Sequence, residues 1–263
     1  MPNPPKHKLR WYQYKLSSLF ILTILVALPC SWYATVMDNA AKRRAAIEKI
    51  VKLGGEVRYY DASDPNTLGE PPRWYSWPRK LHGDEHLGNA NAVDLMDTKV
   101  TDAGLVNLKG LTNLERLRLA TTQITDAGLV NLKGLTKLEL LWIGGTQVTD
   151  AGLVHLKDLT KLEELGLVSS QITDAGLVHL KGLTYLETLW LHGTPITDAG
   201  LEHMKGLTKL KRLSLWNTQV TDAGLLHLKG LTNLQELWLG GRPLTEEGVK
   251  KLQEALPNCK IHH

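Results

Sequence analysis

The chain has 263 residues, with 31 Lys and Arg against 27 Asp and Glu, and two Cys. It is long enough to bury a sizeable core. Its excess positive charge sits at one end: residues 1–37 hold Lys6, Lys8, Arg10 and Lys15 and no acid, while the remainder carries 27 basic and 27 acidic side chains. That leaves no basic face of the kind nucleic acid requires.

Residues 1–15 form a basic tail. The next stretch, LSSLFILTILVALPCSWYATVM at 16–37, holds no charged residue. Its 22 residues would span roughly 33 Å as a helix, about the apolar thickness of a bilayer. Trp11, Tyr12 and Tyr14 precede it, and Trp32 and Tyr33 lie near its far end, in the manner of an aromatic belt. A cleaved signal peptide is the alternative, but no small-x-small site follows the apolar run, and Pro29 before Cys30 disfavours a lipoprotein site. The segment is therefore read as a retained single-pass transmembrane anchor. Lys42, Arg43, Arg44, Lys49 and Lys52 on its far side nearly balance the tail, so the positive-inside comparison is almost tied. A short tail inside and the large domain outside, extracytoplasmic, is the default orientation.

Residues 38–90 read as linker and N-terminal cap. Ala41–Leu53 has an amphipathic helical pattern ending at Gly54-Gly55. Glu56–Tyr60 reads as a strand, and 61–90 is rich in Pro, Gly and charge.

From Thr98 the chain repeats every 24 residues, with copies starting at Thr122, Thr146, Ser170, Thr194 and Thr218 and a divergent last one from Arg242. In the first copy, Leu114, Leu117 and Leu119 end in strand alternation. TDAGLVNLKG offers an N-cap Thr, an Asp for the positive end of the helix dipole, Leu105 and Leu108 on one face, and Gly110 to end the helix. One strand and one helix cannot bury these leucines alone; stacked copies can. The expected fold is an α/β right-handed solenoid over 91–241, with a parallel sheet on its concave face and helices on its convex face. Residues 242–263 would be a C-terminal cap repeat.

These repeats resemble those of leucine-rich repeat proteins of the ribonuclease-inhibitor-like and F-box/LRR kind. With the N-terminal span and the stretch RRAAIEKIVKLGGEVRYYD at 43–61, the chain is also similar to membrane-anchored planctomycete repeat proteins. The resemblance implies the solenoid and says little about function. An F-box-like substrate receptor of a ubiquitin ligase would rest on the repeat resemblance alone, since 38–90 is too short and too Pro/Gly-rich for an F-box module. Thr122, Thr146, Ser170, Thr194 and Thr218 stand where many such repeats carry Asn or Cys. A hydroxyl there can bond a neighbouring turn's backbone, as an Asn ladder does.

The strand alternation puts one column on the concave face: Asp94, Arg118, Trp142, Gly166, Trp190, Ser214 and Trp238. The next column is Met96, Ala120, Gly144, Val168, His192, Trp216 and Gly240, and the preceding one is Ala92, Arg116, Leu140, Glu164, Thr188, Arg212 and Glu236. Trp142, Trp190 and Trp238 would then stand roughly 10 Å apart, with slots over Gly166 and Ser214. Trp142, Trp190, Trp216, Trp238, Leu140, Val168 and His192 form the expected partner-binding patch, with Arg116, Arg118 and Arg212 beside Glu164 and Glu236 as its polar rim. A protein partner is the leading reading. A sugar or peptide ring held in Trp slots is the alternative, and rings that merely lean on each other and stiffen the sheet are the bland one.

His155, His179, His203 and His227 repeat at one helix position, after Asn107 and Asn131. Helices on a convex face lie about 10 Å apart, too far for two imidazoles to share a metal, so these read as a solvated polar column rather than a metal or pH-sensing ladder. No phosphate loop, GxSxG elbow or HExxH is present, and the repeated Asp102, Asp126, Asp150, Asp174, Asp198 and Asp222 are helix starts. Bacterial repeat-type ubiquitin ligases place a Cys in a separate domain, for which no room remains beside Cys259. The expectation is a non-catalytic module without cofactor or metal.

Overall fold

The computed structural model describes residues 41–58, 91–240 and 244–263, together with residues 35, 38 and 39. The expected anchor at 16–37 lies outside the described residues apart from Thr35. So do the basic tail and the Pro/Gly-rich part of the expected cap. Among the described residues no helix is long and apolar enough to cross a membrane. The chain divides into two compact units, Met1–Lys42 and Arg43–His263, and the second contains all the repeats.

The backbone of this second unit is a single nine-stranded sheet in sequence order. The strands are β1 (Glu56–Arg58), β2 (Ala92–Asp94), β3 (Arg116–Arg118), β4 (Leu140–Trp142), β5 (Glu164–Gly166), β6 (Thr188–Trp190), β7 (Arg212–Ser214), β8 (Glu236–Trp238) and β9 (Lys260–His262). From β2 to β9 every pairing is parallel, and from β2 the register advances by the 24-residue period at each step. β1, which comes after a helical stretch ending at residue 52, pairs antiparallel with β2. It therefore closes the first edge with a strand that is not part of the repeat, and so limits the unpaired backbone groups an edge presents.

Each strand is only three residues long, yet the ladder continues past it. Leu119 N–H donates to the Trp142 carbonyl, Ile143 to Gly166 and Leu167 to Trp190, at 2.7–2.9 Å. The leucines at the inward positions, Leu117, Leu141, Leu165, Leu189, Leu213 and Leu237, are fully buried, as are the helix leucines Leu105, Leu129, Leu153, Leu177 and Leu201. At about 1.5–3 kcal/mol for each fully buried Leu, these columns are the main favourable term. They are shared between turns, so no turn is stable alone.

The helices are shorter than the sequence suggests. DAGL forms a four-residue α-helix (Asp102–Leu105, Asp126–Leu129 and their equivalents), and a tight 3-10 turn such as Val106–Gly110 or Val130–Leu132 comes next. Gly110 thus ends a 3-10 turn, not an α-helix. The 24-residue circuit leaves no length for a longer helix, and a 3-10 turn keeps its i→i+3 bonds within few residues.

The Asp of each TDAG does more than begin a helix. Asp102, Asp126, Asp150, Asp174, Asp198 and Asp222 each accept from the backbone N–H of the Thr one turn later, at 2.7–2.9 Å, through Oδ1. Through Oδ2 each also accepts from that Thr's hydroxyl. The Gly of the next turn leaves the space for this: a Cβ on Gly152 or Gly176 would lie 2.3 Å from the preceding Asp Oδ1. Thr, Asp and Gly in the motif are therefore one inter-turn staple. At Thr125, Thr173, Thr197 and Thr221 the hydroxyl also accepts from the Ala N–H two residues on, capping its own helix.

The column of Thr122, Thr146, Thr194 and Thr218 corrects another expectation. Each hydroxyl donates to the carbonyl three residues back in its own turn, not to a neighbouring turn. The carbonyl in the same turn lies 2.5–2.7 Å from the hydroxyl and takes its single proton. Just before these residues the backbone is left-handed at one repeated position: Asp97, Thr121, Ser169 and Asn217 have φ of 49–58°, and Gly145 and Gly193 have 64° and 72°. Thr121 carries the largest steric cost there, because its side chain is β-branched.

Candidate binding face

The expected concave column is one register line. Asp94, Arg118, Trp142, Gly166, Trp190, Ser214 and Trp238 are Cα partners on successive strands, and the line continues to His262 on β9. Consecutive large side chains along it touch. Arg118 lies 3.4 Å from Asp94 and places its guanidinium 4.8 Å from the Trp142 ring centre. Trp142 and Trp190 both donate their indole N–H to one oxygen, Glu164 Oε1, at 3.0 Å each. Trp190 and Trp238 have ring centroids 5.3 Å apart, and Trp238 stacks on His262 at 5.4 Å with an interplanar angle of 6°. Such aromatic pairs contribute about 0.5–1.5 kcal/mol beyond burial.

The expected 10 Å slots are closed. Gly166 and Ser214 are small, and the rings tilt down over them. A Cβ on Gly166 would fall 3.0 Å from Trp142 Cδ1, and Ser214 is buried. Apolar rings gain more by covering neighbours than by standing free in water. The surface is a half-buried aromatic row, not a comb. Leu140 is likewise not a surface group: it is 8% exposed, and its neighbour in the same column, Thr188, is also buried. Arg212, exposed, donates Nε–H to Thr188 Oγ1 at 3.1 Å. Arg116 and Glu236 are half-buried at the rim.

Beyond the aromatic row lies the column of Val168, His192 and Trp216. Val168 and His192 are half-buried, and burial lowers the His192 pKa below the ordinary imidazole value. Trp216 is 51% exposed and lies against Gly240, where a Cβ would fall 2.5 Å from ring carbons.

Two features of this face were not read from the sequence. His262 was legible by counting, because it stands 24 residues after Trp238. The second is a row of carboxylates at the residue just before β3, β4, β5 and β6: Glu115, Glu139, Glu163 and Glu187. Asn91 Nδ2 donates to Glu115 at 3.1 Å, and Lys211 meets Glu187 at 2.8 Å. Between them, burial and the neighbouring Glu115 and Glu163 raise the Glu139 pKa above the usual carboxylate range, with Arg116 and Lys161 offsetting part of the effect.

On the convex face, His155, His179, His203 and His227 are half-buried rather than solvated. Asn131, in the same column, is 7% exposed, and its amide donates to the Gly128 carbonyl at 3.0 Å. Among the described residues no group of His, Cys, Asp or Glu could hold a metal ion. Val106, Val130, Val154, Val178 and Leu226 form an exposed apolar line beside that column. Cys259 is buried, and burial pushes its thiol up to about 11, far from a reactive thiolate.

A family model for leucine-rich repeats, in two copies, matches residues 208–250, and a model for a single leucine-rich repeat matches residues 110–133. No curated protein matches the chain. Among solved structures, an internalin of Listeria monocytogenes, inlF, is 28% identical with a TM-score of 0.55, the match covering 65% of this chain and 46% of that one. Internalin C2 of the same species is 32% identical with a TM-score of 0.57, covering 66% of this chain and 71% of that one. This chain thus spans less than half the length of inlF.

Proposed function

The chain belongs to the leucine-rich repeat family, and on that premise we propose that it is a membrane-anchored, non-catalytic interaction module that holds a protein partner on its concave sheet. Leucine-rich repeat domains commonly bind proteins. The observation that carries the reading is the line from Asp94 to His262, in which a strictly repeating scaffold changes residue type at every turn. Trp142, Trp190, Trp216 and Trp238 supply the large, partly exposed rings typical of interface anchors, and Val168 and His192 extend the apolar area. Arg116, Arg118 and Arg212 lie at its polar margin. The closed slots over Gly166 and Ser214 give the small-ligand alternative no support.

The anchor in this proposal is the uncharged stretch 16–37, with the repeat domain on the extracytoplasmic side. Fractionation of cells expressing the full chain tests it. Retention in membranes through a high-salt wash is expected, and a soluble full-length product, or one shortened at its N-terminus, would overturn it.

The concave-face reading is tested by placing a photo-activatable side chain at Val168 or, on the convex face, at Val154 in the full chain. A discrete protein adduct is expected from Val168 and not from Val154. Equal adducts from both, or adducts from Val154 alone, would move the site elsewhere.

A further inference from the structure

The charge on the concave face is ordered in bands. The three central turns, at residues 139–142, 163–166 and 187–190, carry Glu139, Glu163, Glu164 and Glu187 and no Lys or Arg. The turn before them contributes Arg116 and Arg118 beside Glu115, and the turn after contributes Lys211 and Arg212. Trp142 and Trp190 sit in the negative band, with their indole N–H groups already spent on Glu164. Arg118 already lies over the Trp142 ring and Trp190 meets Trp238, so these rings offer a partner their remaining partly exposed apolar surface. At the ends of the carboxylate row Glu115 is bonded by Asn91 and Glu187 by Lys211. Glu139 and Glu163 between them are backbone neighbours, the Glu163 N–H donating to the Glu139 carbonyl at 2.8 Å, and among the described residues neither carboxylate accepts a hydrogen bond.

From this we infer that the concave face holds an extended segment of a protein partner whose centre carries Lys or Arg side chains and whose flanks are acidic. The inference rests on the concave-face reading and names its partner. An extended chain lying across the strands over the Leu140, Glu164 and Thr188 line, which separates the two rows, turns alternate side chains to opposite sides. Basic side chains to one side meet Glu139 and Glu163, and apolar ones to the other meet Trp142, Trp190 and Val168. The lengths agree. Two same-side residues of a strand lie about 7 Å apart, within the ~10 Å from Glu139 to Glu187, and residues six apart span roughly 20 Å, close to the ~19 Å of four strand spacings from Arg116 to Arg212. Acidic flanks meet Arg116 on one side and Arg212 on the other. The like-charge repulsion within the row falls when cations arrive.

The test uses three fluorescein-labelled seven-residue peptides titrated with the full chain. One is Asp-Leu-Lys-Leu-Lys-Leu-Asp, the second exchanges Lys and Asp throughout, and the third has Gln at all charged positions. The lysine-centred peptide is expected to bind about tenfold more tightly than the exchanged one, with a preference that shrinks as salt rises. E139Q/E163Q should bring it to within about threefold of the Gln peptide, while the equally discharged D158N/E254Q, remote from the face, keeps the full preference. Equal or tighter binding of the exchanged peptide, equal loss in both double variants, or binding of none of the three overturns the inference. A Val168 adduct with a partner protein in those cases leaves the concave-face reading standing. A lysine-centred preference with an adduct only from Val154 sinks that reading instead.

Discussion

The two faces of the solenoid are built from the same 24-residue period and use it in opposite ways. On the helix side the same residue types recur: Asp102 through Asp222 each bridge to the next turn's Thr, each beside a Gly that makes room for the carboxylate. On the sheet side, the register line runs Asp, Arg, Trp, Gly, Trp, Ser, Trp, His. Every turn meets the same geometric demand from its neighbours, so positions that answer that demand must repeat. The outward strand positions face no such uniform demand, and their side chains differ from turn to turn while packing on one another, as Trp238 does on His262. Repetition on the helix side marks what holds the turns together, and the varied line on the sheet side is where the proposed recognition is placed.

The sharpest way to break this contrast is a charge in the shared core. Leu165→Asp would bury an unpaired carboxylate in the middle of the sheet, at a cost of several kcal/mol, roughly 3–5. Urea melts should show the variant largely unfolded, and a near-native midpoint would mean that the faces are misassigned.

Next in size is the staple. Asp150→Ala removes two bonds to a charged acceptor and leaves the Thr173 N–H without its partner, for an expected loss of about 2 kcal/mol. Asp222 carries the same role toward the C-terminal helix Glu246–Ala255, and its bonds to the Thr245 hydroxyl and N–H hold its pKa below the ordinary Asp value. Its contribution is therefore present above the unfolded pKa and lost as pH falls through the lower folded one. Acid titration of D222N against the unaltered chain should show that the variant lacks this acid-dependent loss. Identical profiles would remove the staple's electrostatic part.

A smaller effect separates geometry from contacts at the left-handed position. Thr121→Gly should stabilise by about 0.5–1 kcal/mol, because relief of the β-branched strain exceeds the added chain entropy, and Gly145→Thr should destabilise by about 1–2 kcal/mol. Thermal melts of the pair with shifts of the same sign would contradict the assigned backbone.

The smallest effect is at Glu139. Because its folded pKa is raised, the ionised form weakens the fold at neutral pH, and the penalty is relieved as pH falls through the folded pKa. Glu139→Gln should therefore raise the urea midpoint slightly at pH 7 and make no difference in acid. A lower midpoint at pH 7 would show that the carboxylate is held by attraction, not opposed by its neighbours.

Much of this was written in the sequence. The solenoid, the strand register and the line from Asp94 to Trp238 come from counting, because a fixed period fixes which residues are neighbours wherever the alternation of leucines fixes the face. His262 and the Glu115-to-Glu187 row were open to the same arithmetic. What counting cannot give is the direction a side chain leans. The tilt of Trp142 over Gly166, the single Glu164 oxygen shared by two indoles, the burial of Leu140 and the bonding of Thr122 within its own turn all depend on short-range packing in three dimensions. The reach of the Asp carboxylates belongs with them: sequence marks Asp150 as a helix start, but only the ~5 Å stacking of turns brings the next Thr within bonding distance. A one-dimensional repeat determines who is adjacent, and the balance of burial and hydrogen bonding at that adjacency decides what each neighbour does.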